Sequence, residues 1–132
     1  MPVSAEEFIE RCDALMCDQT PVEVLYKTRE LLSDPDRWVQ FVLASDENGY
    51  RTKPSDPDAV RWGLEGAVGK VSNPYGIVPP CVLKILDMAV LELYNQDVNC
   101  GYFNDNNDHQ QVMNLIDGAI SLEIIKGEHD AV

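Results

Sequence analysis

The sequence predicts a mainly α-helical fold, a compact single-domain bundle of about five helices with a short β-hairpin near residues 37–53. Helix start signals recur along the chain, and the apolar residues between them recur at helical spacing. No apolar run approaches the roughly 18 residues needed to cross a bilayer. The chain has 132 residues, of which 45% are hydrophobic, and this is enough for one core in one domain.

Two capping boxes start the first two predicted helices. Ser4-Ala5-Glu6-Glu7 predicts a short helix to about Cys17, because the serine and glutamate side chains satisfy each other's backbone amides. We interpret residues 1–19 as an N-terminal addition to a core of residues 20–126. Thr20-Pro21-Val22-Glu23 predicts the second helix, and Asp34-Pro35 ends it.

Residues 37–53 differ from the helical segments around them. Asp46-Glu47-Asn48-Gly49 is a turn signal, and Tyr50-Arg51-Thr52 has the residue types of a returning strand. An isolated two-stranded ribbon is only marginally stable, so we expect this hairpin to pack on the helices.

A third helix is predicted to start at Asp56, with Pro57 at its first position, and to continue to about Val71. Each glycine in a helix interior costs about 1 kcal/mol relative to alanine. This helix would hold three of them at three-residue spacing, namely Gly63, Gly66 and Gly69. Such spacing indicates close backbone approach by another helix or by a ligand.

The fourth predicted helix opens at Pro79-Pro80 and continues to about Asn95. Because it is apolar on most sides, we expect it at the centre of the bundle. Residues 96–107 are polar and are predicted to form a loop.

The fifth predicted helix starts at Asp108, with Gln111 three residues later. Gly127 is a good C-terminal stop. We expect the tail, residues 127–132, to fray.

The net charge is −13, and it lies mainly in the terminal thirds of the chain. Nine acids and three bases give −6 for residues 1–36, seven and six give −1 for residues 37–94, and seven and one give −6 for residues 95–132. This field opposes direct binding to nucleic acid or to an anionic membrane. It permits a basic protein partner. In the most specific form of this hypothesis, the chain mimics nucleic acid and occupies a DNA-binding protein. Solubility alone is the alternative.

The thiols and the first residues of the chain predict an intracellular protein without bound metal. The start of the chain is acidic and lacks a basic, apolar leader, so we expect no signal peptide and a cytoplasmic location. There is no Cys-x-x-Cys pair, and only two histidines are available to complete a zinc site. We therefore expect no metal, no cofactor and no disulfide framework, and we expect buried, inert thiols at Cys12, Cys17, Cys81 and Cys100.

Four motifs follow one another between Thr20 and Ile125. They are Asp34-Pro35-x-Arg37-Trp38-x-Gln40, Ala44-x-Asp46-x-x-Gly49, Asp56-Pro57-Asp58-Ala59-Val60-Arg61-Trp62-x-x-x-Gly66-Ala67, and Phe103-Asn104-Asp105 ahead of Gln111-Val112. In order and spacing they resemble a family of small bacterial and phage proteins with no assigned function. That family often has a cysteine where this chain has Gly63, and Thr-x-x-Glu where this chain has Asp108-x-x-Gln111. The resemblance implies a fold and no activity.

Asn104 to His109 is the first candidate site. Its oxygen-bearing side chains alternate as in a calcium loop, but the glycine and the bidentate glutamate of an EF-hand are both missing. A structural loop and helix cap is the alternative interpretation. His109 lies in the first turn of a predicted helix, where a neutral imidazole is favoured and could act as a base.

Two Arg-Trp pairs, Arg37-Trp38 and Arg61-Trp62, form the second candidate site. They could supply an aromatic wall and a cationic clamp for a small anion. The alternative is two core tryptophans flanked by surface arginines that pair with nearby aspartates.

Our leading hypothesis is a small acidic cytosolic accessory protein that acts by binding, as a monomer or homodimer. We favour a non-enzymatic role. The alternative is an enzyme-like domain that binds a small ligand or a metal through the Arg61–Trp62 and Asn104–His109 regions. The candidate ligand-binding residues are Arg37, Trp38, Arg61, Trp62, Asn104, Asp105 and His109. Convergence of the Arg61–Trp62 and Asn104–His109 regions on one concave pocket would favour that alternative.

Overall fold

A computed structural model describes residues 19–130 of the chain, and side chains for residues 19–127. This part contains five α-helices, α1 (Pro21–Leu32), α2 (Leu64–Ser72), α3 (Pro80–Tyr94), α4 (Cys100–Asn106) and α5 (His109–Asp130). It also contains a 3-10 turn, Pro35–Arg37, and three short strands, β1 (Ala44–Ser45), β2 (Arg51–Thr52) and β3 (Arg61–Trp62). The mainly α prediction is confirmed. The predicted helix from Ser4 to Cys17 lies outside the described residues.

Helix α1 starts where the capping box predicts. The hydroxyl of Thr20 accepts a hydrogen bond from the Glu23 amide at 3.2 Å, which satisfies one of the amides left unpaired at a helix start. The inner face of α1 is fully buried against α2 and α5. Its buried residues are Val24, Leu25, Thr28 and Leu32.

The predicted hairpin exists and belongs to a three-stranded antiparallel sheet in the order β2-β1-β3. Ala44 of β1 lies opposite Thr52 of β2 on one side and opposite Trp62 of β3 on the other. No pattern in the sequence predicted β3. Strand β3 pairs with the second edge of β1. It also connects the sheet to α2, because Gly63, the residue after β3, is the N-cap of that helix.

The predicted start of the third helix at Asp56 is wrong. The Asp56 carboxylate accepts a hydrogen bond from the Asp58 amide at 2.8 Å, so the side chain closes a turn instead of capping a helix. The chain then pairs as β3, and α2 begins only after Gly63, its N-cap residue. An aspartate-proline pair occurs both in turns and at helix starts, so it does not distinguish the two. The strand partner of Trp62 is Ala44, which lies far from it in sequence.

The glycines of this segment do mark close backbone approach, but the neighbour is neither another helix nor a ligand. A Cβ atom on Gly66 would overlap the backbone carbonyl of Leu43, the residue before β1. A Cβ atom on Gly63 would lie 2.7 Å from the Val42 oxygen. The segment that leads into β1 therefore lies directly on the first turn of α2.

The expected central position of α3 is also wrong. Its buried face is formed by Val82, Leu86, Ala89 and Val90, whereas Met88, Leu91 and Leu93 are between 41% and 46% exposed. Helix α5 contributes more to the core, with Val112, Leu115, Ile116, Ala119 and Ile120 buried. Its capping box is complete, because Asp108 and Gln111 exchange hydrogen bonds of 2.8 and 2.9 Å.

Two boundaries near the end of the chain differ from the prediction. Residues 96–107 are not all loop, because α4 occupies the second half of that segment. Gly127 does not end α5, which continues to Asp130. Residues 131–132 lie outside the described part of the chain.

Candidate functional site

Asn104 connects three separate parts of the fold. Its side chain is 3% exposed and lies on α4. The carboxamide oxygen accepts from the Trp38 indole at 2.6 Å and from the Leu64 amide at 3.2 Å, and the nitrogen donates to the Val39 carbonyl at 3.1 Å. Asn104 therefore fixes the segment after the 3-10 turn and the first residue of α2 against α4.

Trp38 and His109 lie behind this network. Their rings meet edge to face with centroids 5.7 Å apart, and the His109 Nε2 donates to the Leu32 carbonyl at 2.6 Å. That carbonyl is one of those left unpaired at the end of α1. The imidazole therefore joins the start of α5 to the end of α1, a structural use that differs from the predicted base.

The two arginines also bind backbone carbonyls. Arg37 donates to the carbonyls of Leu31 and Glu30 at 2.6 and 3.1 Å, where α1 ends. Arg61 donates to the Asp46 carbonyl at 3.0 Å in the hairpin turn. Neither forms the predicted cationic clamp, and neither makes an ion pair with the nearby aspartates among the described residues.

Trp62 joins the Asn104 network through its backbone, since its carbonyl accepts from the Val39 amide at 3.1 Å, whereas its side chain binds elsewhere. It is 6% exposed, and its indole donates to the Pro54 carbonyl at 3.0 Å. The Lys70 ammonium is 6.0 Å from its ring centroid. The Arg61–Trp62 and Asn104–His109 regions consequently do not line a common pocket, the arrangement that would have favoured an enzyme-like site.

Residues 40 and 41 bind the end of α4. The Gln40 carboxamide donates to three carbonyls, of Asn104, Asp105 and Asn107, at 3.2, 3.3 and 2.9 Å. The next residue, Phe41, donates its amide to the Asp105 carboxylate at 2.7 Å. Together these bonds hold an irregular segment of backbone on the helix end.

Phe41 has a strained backbone and an exposed side chain. Its φ is 71°, in the left-handed region that a bulky residue rarely adopts. Its ring is 72% exposed, so burial of the side chain does not compensate for this strain. Strained, exposed residues of this kind concentrate at ligand-binding positions.

A concave cleft of ≈ 410 Å³ opens beside Phe41. Its walls are the segment before β1, the first turn of α2 and one side of α4. The described lining carries two carboxylates and neither lysine nor arginine. We call it the acidic cleft, lined by Phe41, Val42, Leu43, Gly63, Leu64, Glu65, Asn99, Gly101, Tyr102, Asn104 and Asp105.

Glu65 is the electrostatic centre of the acidic cleft. Partial burial raises the pKa of its carboxyl, and the negative charges of Asp87 and Asp105 raise it further. A hydrogen bond from the Gly101 backbone opposes this rise in pKa without cancelling it. The carboxylate therefore carries a charge that nearby groups make unfavourable, and a cation placed beside it would be stabilised.

The described thiols differ in their surroundings. Cys100 is buried below the cleft, and burial together with Asp87 and Glu65 raises the pKa of its thiol. This matches the predicted inert thiol. Cys81 is exposed on α3, so the prediction of burial is wrong for it. Cys12 and Cys17 lie outside the described residues.

Two other kinds of feature are absent from the described residues. No group of three or more histidine, cysteine, aspartate or glutamate side chains within residues 19–127 could hold a metal ion. None of the described helices is long and apolar enough to cross a membrane.

A model for a family of unknown function, DUF6197, matches residues 16–122. The chain belongs to this family. The match covers α1 through α4 and the part of α5 that forms the core. No curated protein and no solved structure matches the chain. The predicted membership of a family without assigned function is thus confirmed, and the family supplies no activity for the acidic cleft.

Of the cleft residues, the sequence pattern indicated Asn104 and Asp105 but not Phe41, Glu65 or Tyr102. Phe41 opens an apolar run with Val42 and Leu43, and Tyr102 precedes Phe103, so no sequence signal marks either ring as exposed. Glu65 is one of the acids on the predicted third helix. Only the fold brings Asp87 and Asp105 close enough to affect it.

Proposed function

We propose that this protein is a small accessory protein that acts by binding a basic protein partner, and that the acidic cleft receives a lysine or arginine side chain of that partner. The observation that carries the proposal is Phe41, an exposed aromatic ring held in a strained backbone conformation at the edge of a cleft with two carboxylates.

The charges of the cleft favour a cationic group. Among the described residues, the charged groups that shift the pKa of Glu65 are Asp87 and Asp105, and both raise it because they repel the ionised carboxylate. A bound cation would relieve this repulsion in partly buried surroundings, where charge interactions are stronger than in water. The net charge of −13 would also attract a basic partner over a longer distance.

The aromatic rings add a second kind of contact. Phe41 and Tyr102 are 72% and 54% exposed and both line the cleft. A guanidinium group can stack on such rings while its donors bind carboxylates. Arginine therefore suits this lining better than lysine does.

The surface next to the cleft favours a peptide over a free small molecule. Phe41, Val42 and Leu43 form a ridge that also borders a second cleft, of ≈ 750 Å³, on its other side. That cleft is lined by Arg51 and Lys53 as well as Asp56. A segment of a partner that crosses the ridge could contact both clefts, and we expect the encounter in the bacterial cytoplasm.

The test is a titration of isotopically labelled protein with N-acetyl-arginine amide, followed by NMR. We expect shifts at Phe41, Glu65 and Tyr102, with a Kd on the order of 1 mM that rises with salt. N-acetyl-citrulline amide has the same shape without the charge and should cause no such shifts. Glu65→Gln should weaken binding, whereas Glu30→Gln, on the exposed face of α1, should not. Equal shifts with citrulline, or shifts spread over the acidic surface outside the cleft, would refute the proposal.

A further inference from the structure

The cleft on the other side of the ridge differs from the acidic cleft in its charge. It has a volume of ≈ 750 Å³, and the ridge of residues 41–43 separates it from the acidic cleft. The stretch from Arg51 to Asp56 forms its opposite wall. The described lining carries two cationic side chains, those of Arg51 and Lys53, and one carboxylate, that of Asp56. We call it the basic cleft.

The two cations of the basic cleft are accessible to an external group. Arg51 and Lys53 are both exposed, and neither forms an ion pair within residues 19–127. The Asp56 carboxylate instead accepts a hydrogen bond from the Asp58 amide in its own turn, at 2.8 Å. Arginine and lysine side chains bind carboxylates through charge-assisted hydrogen bonds. The charge of this cleft therefore suits an anionic group.

The backbone that carries these cations is held in place. Strand β2 pairs with β1, and the Lys53 carbonyl accepts from the Asp56 amide at 3.0 Å, which closes a turn. Pro54 in that turn is buried, and its carbonyl accepts from the Trp62 indole at 3.0 Å. Because this wall is already ordered, a ligand that binds it pays less for ordering the protein.

A free anion is a poor ligand for the basic cleft. The net charge of −13 repels anions at long range, and the acidic cleft lies just across the ridge. An acidic side chain on a peptide whose arginine is already bound in the acidic cleft is present at a high effective concentration. Two neighbouring clefts of opposite charge therefore fit one peptide with an arginine and an acid better than a free anion.

The width of the ridge determines the spacing of the two charges on such a peptide. One extended segment of chain with its side chains is about 5–10 Å across. A peptide that crosses the ridge in an extended conformation rises about 3.3 Å per residue. About two or three residues are therefore enough to separate the arginine from the acid.

We infer that the basic cleft binds the carboxylate of an aspartate or glutamate of the partner, a few residues from the arginine that occupies the acidic cleft. This inference rests on the proposed function of the acidic cleft and specifies the partner further, since the segment that binds contains both charges. Such recognition would select these segments from the many basic sequences that net charge alone attracts.

Short peptides with blocked ends test this inference. Each contains an arginine, one to four glycines and an aspartate, and is compared with the same peptide ending in asparagine. The asparagine peptide is cationic and the aspartate peptide is neutral, so attraction to the acidic protein alone would favour asparagine. We expect the opposite order at the best spacing, with the aspartate peptide binding about two- to fivefold more tightly, as exposed ion pairs allow. NMR shifts at Arg51 and Lys53 should appear only with aspartate.

Two double variants that lose the same charge sharpen the test. In Arg51→Gln with Lys53→Gln the order should reverse, so that the asparagine peptide binds more tightly. Lys27→Gln with Lys126→Gln removes two exposed lysines that line neither cleft, and the preference for aspartate should persist.

The possible failures of this inference and of the proposed function are distinguishable. If N-acetyl-arginine amide binds the acidic cleft but aspartate gives no gain at any spacing, the inference alone is overturned. A preference for aspartate that survives the loss of Arg51 and Lys53 would also overturn it alone. If N-acetyl-arginine amide does not bind, the proposed function is refuted and the inference with it.

Discussion

At the scale of single residues, Gly66 shows how one atom can decide packing. The Leu43 carbonyl occupies the position where a Cβ atom would be, and a backbone group cannot rotate away as a side chain can. We predict that Gly66→Ala destabilises the fold by about 1–3 kcal/mol through overpacking. The change in the free energy of unfolding is measured by urea denaturation of the parent and the variant.

Gly127 is the matched control for that substitution. It also lies within a helix, but nothing lies within 4 Å of its Cβ position. Gly127→Ala should stabilise the protein by about 0.5–1 kcal/mol, because alanine loses less backbone entropy. Equal effects of the two substitutions would contradict the close approach at Gly66.

Glu65 gives a prediction for pH. Since its pKa is raised above 4.5 in the folded state, the native protein binds more protons than the unfolded chain between 4.5 and the folded pKa. The contribution of Glu65 to stability is therefore most favourable below that window and is lost as the pH rises through it. Glu65→Gln should remove this loss and be more stable than the parent protein at pH 7.

The measurement is urea unfolding of the parent and of Glu65→Gln from pH 4 to 8, compared as a difference so that other titrating groups cancel. Glu30→Gln controls for the loss of one charge from an acidic protein. The prediction would be contradicted if the difference in free energy of unfolding between the parent and Glu65→Gln did not change with pH. The pKa of Glu65 would then not be raised by its neighbours.

At the scale of elements, local signals predicted α1, α3 and the start of α5. Each begins with a capping residue or a proline that acts within one turn, so a few consecutive residues contain the information. The same reasoning failed for β3 and α4. Arg61 and Trp62 form a strand because they pair with the free edge of β1. A pattern of neighbouring residues cannot predict pairing with a distant strand.

Helix α4 was missed because its composition is typical of a loop. Its residues, Cys-Gly-Tyr-Phe-Asn-Asp-Asn, have weak helix propensity. Distant groups stabilise it: Asp87 accepts from the Cys100 amide at 2.7 Å, and Gln40 covers the carbonyls at its other end. The Asn99 side chain, which accepts from Tyr102 at 2.8 Å, is the local signal that could have predicted its start.

Asn104 is the residue through which α4 supports the rest of the site. Asn104→Ala would leave the Trp38 indole, the Leu64 amide and the Val39 carbonyl without this partner. Each buried polar group left unpaired costs about 1–3 kcal/mol. We predict a loss of at least that size by thermal and urea unfolding.

Asn106→Ala on the same helix is the control. Asn106 is exposed, and its side chain donates only to the Tyr102 carbonyl of its own helix, so the substitution should change stability by less than about 0.5 kcal/mol. Similar losses for both variants would mean that α4 is merely sensitive to asparagine replacement and that Asn104 has no special position.

At the scale of the whole molecule, the candidate site was predictable only in part. Asn104 and Asp105 were identified because oxygen-rich side chains cluster in the sequence. The left-handed backbone of Phe41 was not predictable, since no glycine or asparagine marks it. It results from two sets of hydrogen bonds, from the Phe41 amide to the Asp105 carboxylate and from the Gln40 side chain to backbone carbonyls of α4. Both require α4 to be in place.

The affinity of Phe41→Gly for N-acetyl-arginine amide is the most direct test of the acidic cleft as a binding site. Glycine adopts a positive φ without strain, so the variant should be about 1 kcal/mol more stable than the parent. Its affinity should nevertheless fall two- to fivefold, as expected for the loss of about 0.5–1 kcal/mol of cation–π interaction. Tyr75→Gly, another exposed aromatic outside the cleft lining, should leave the affinity unchanged. A Phe41→Gly protein that binds arginine amide as tightly as the parent would contradict the proposed site.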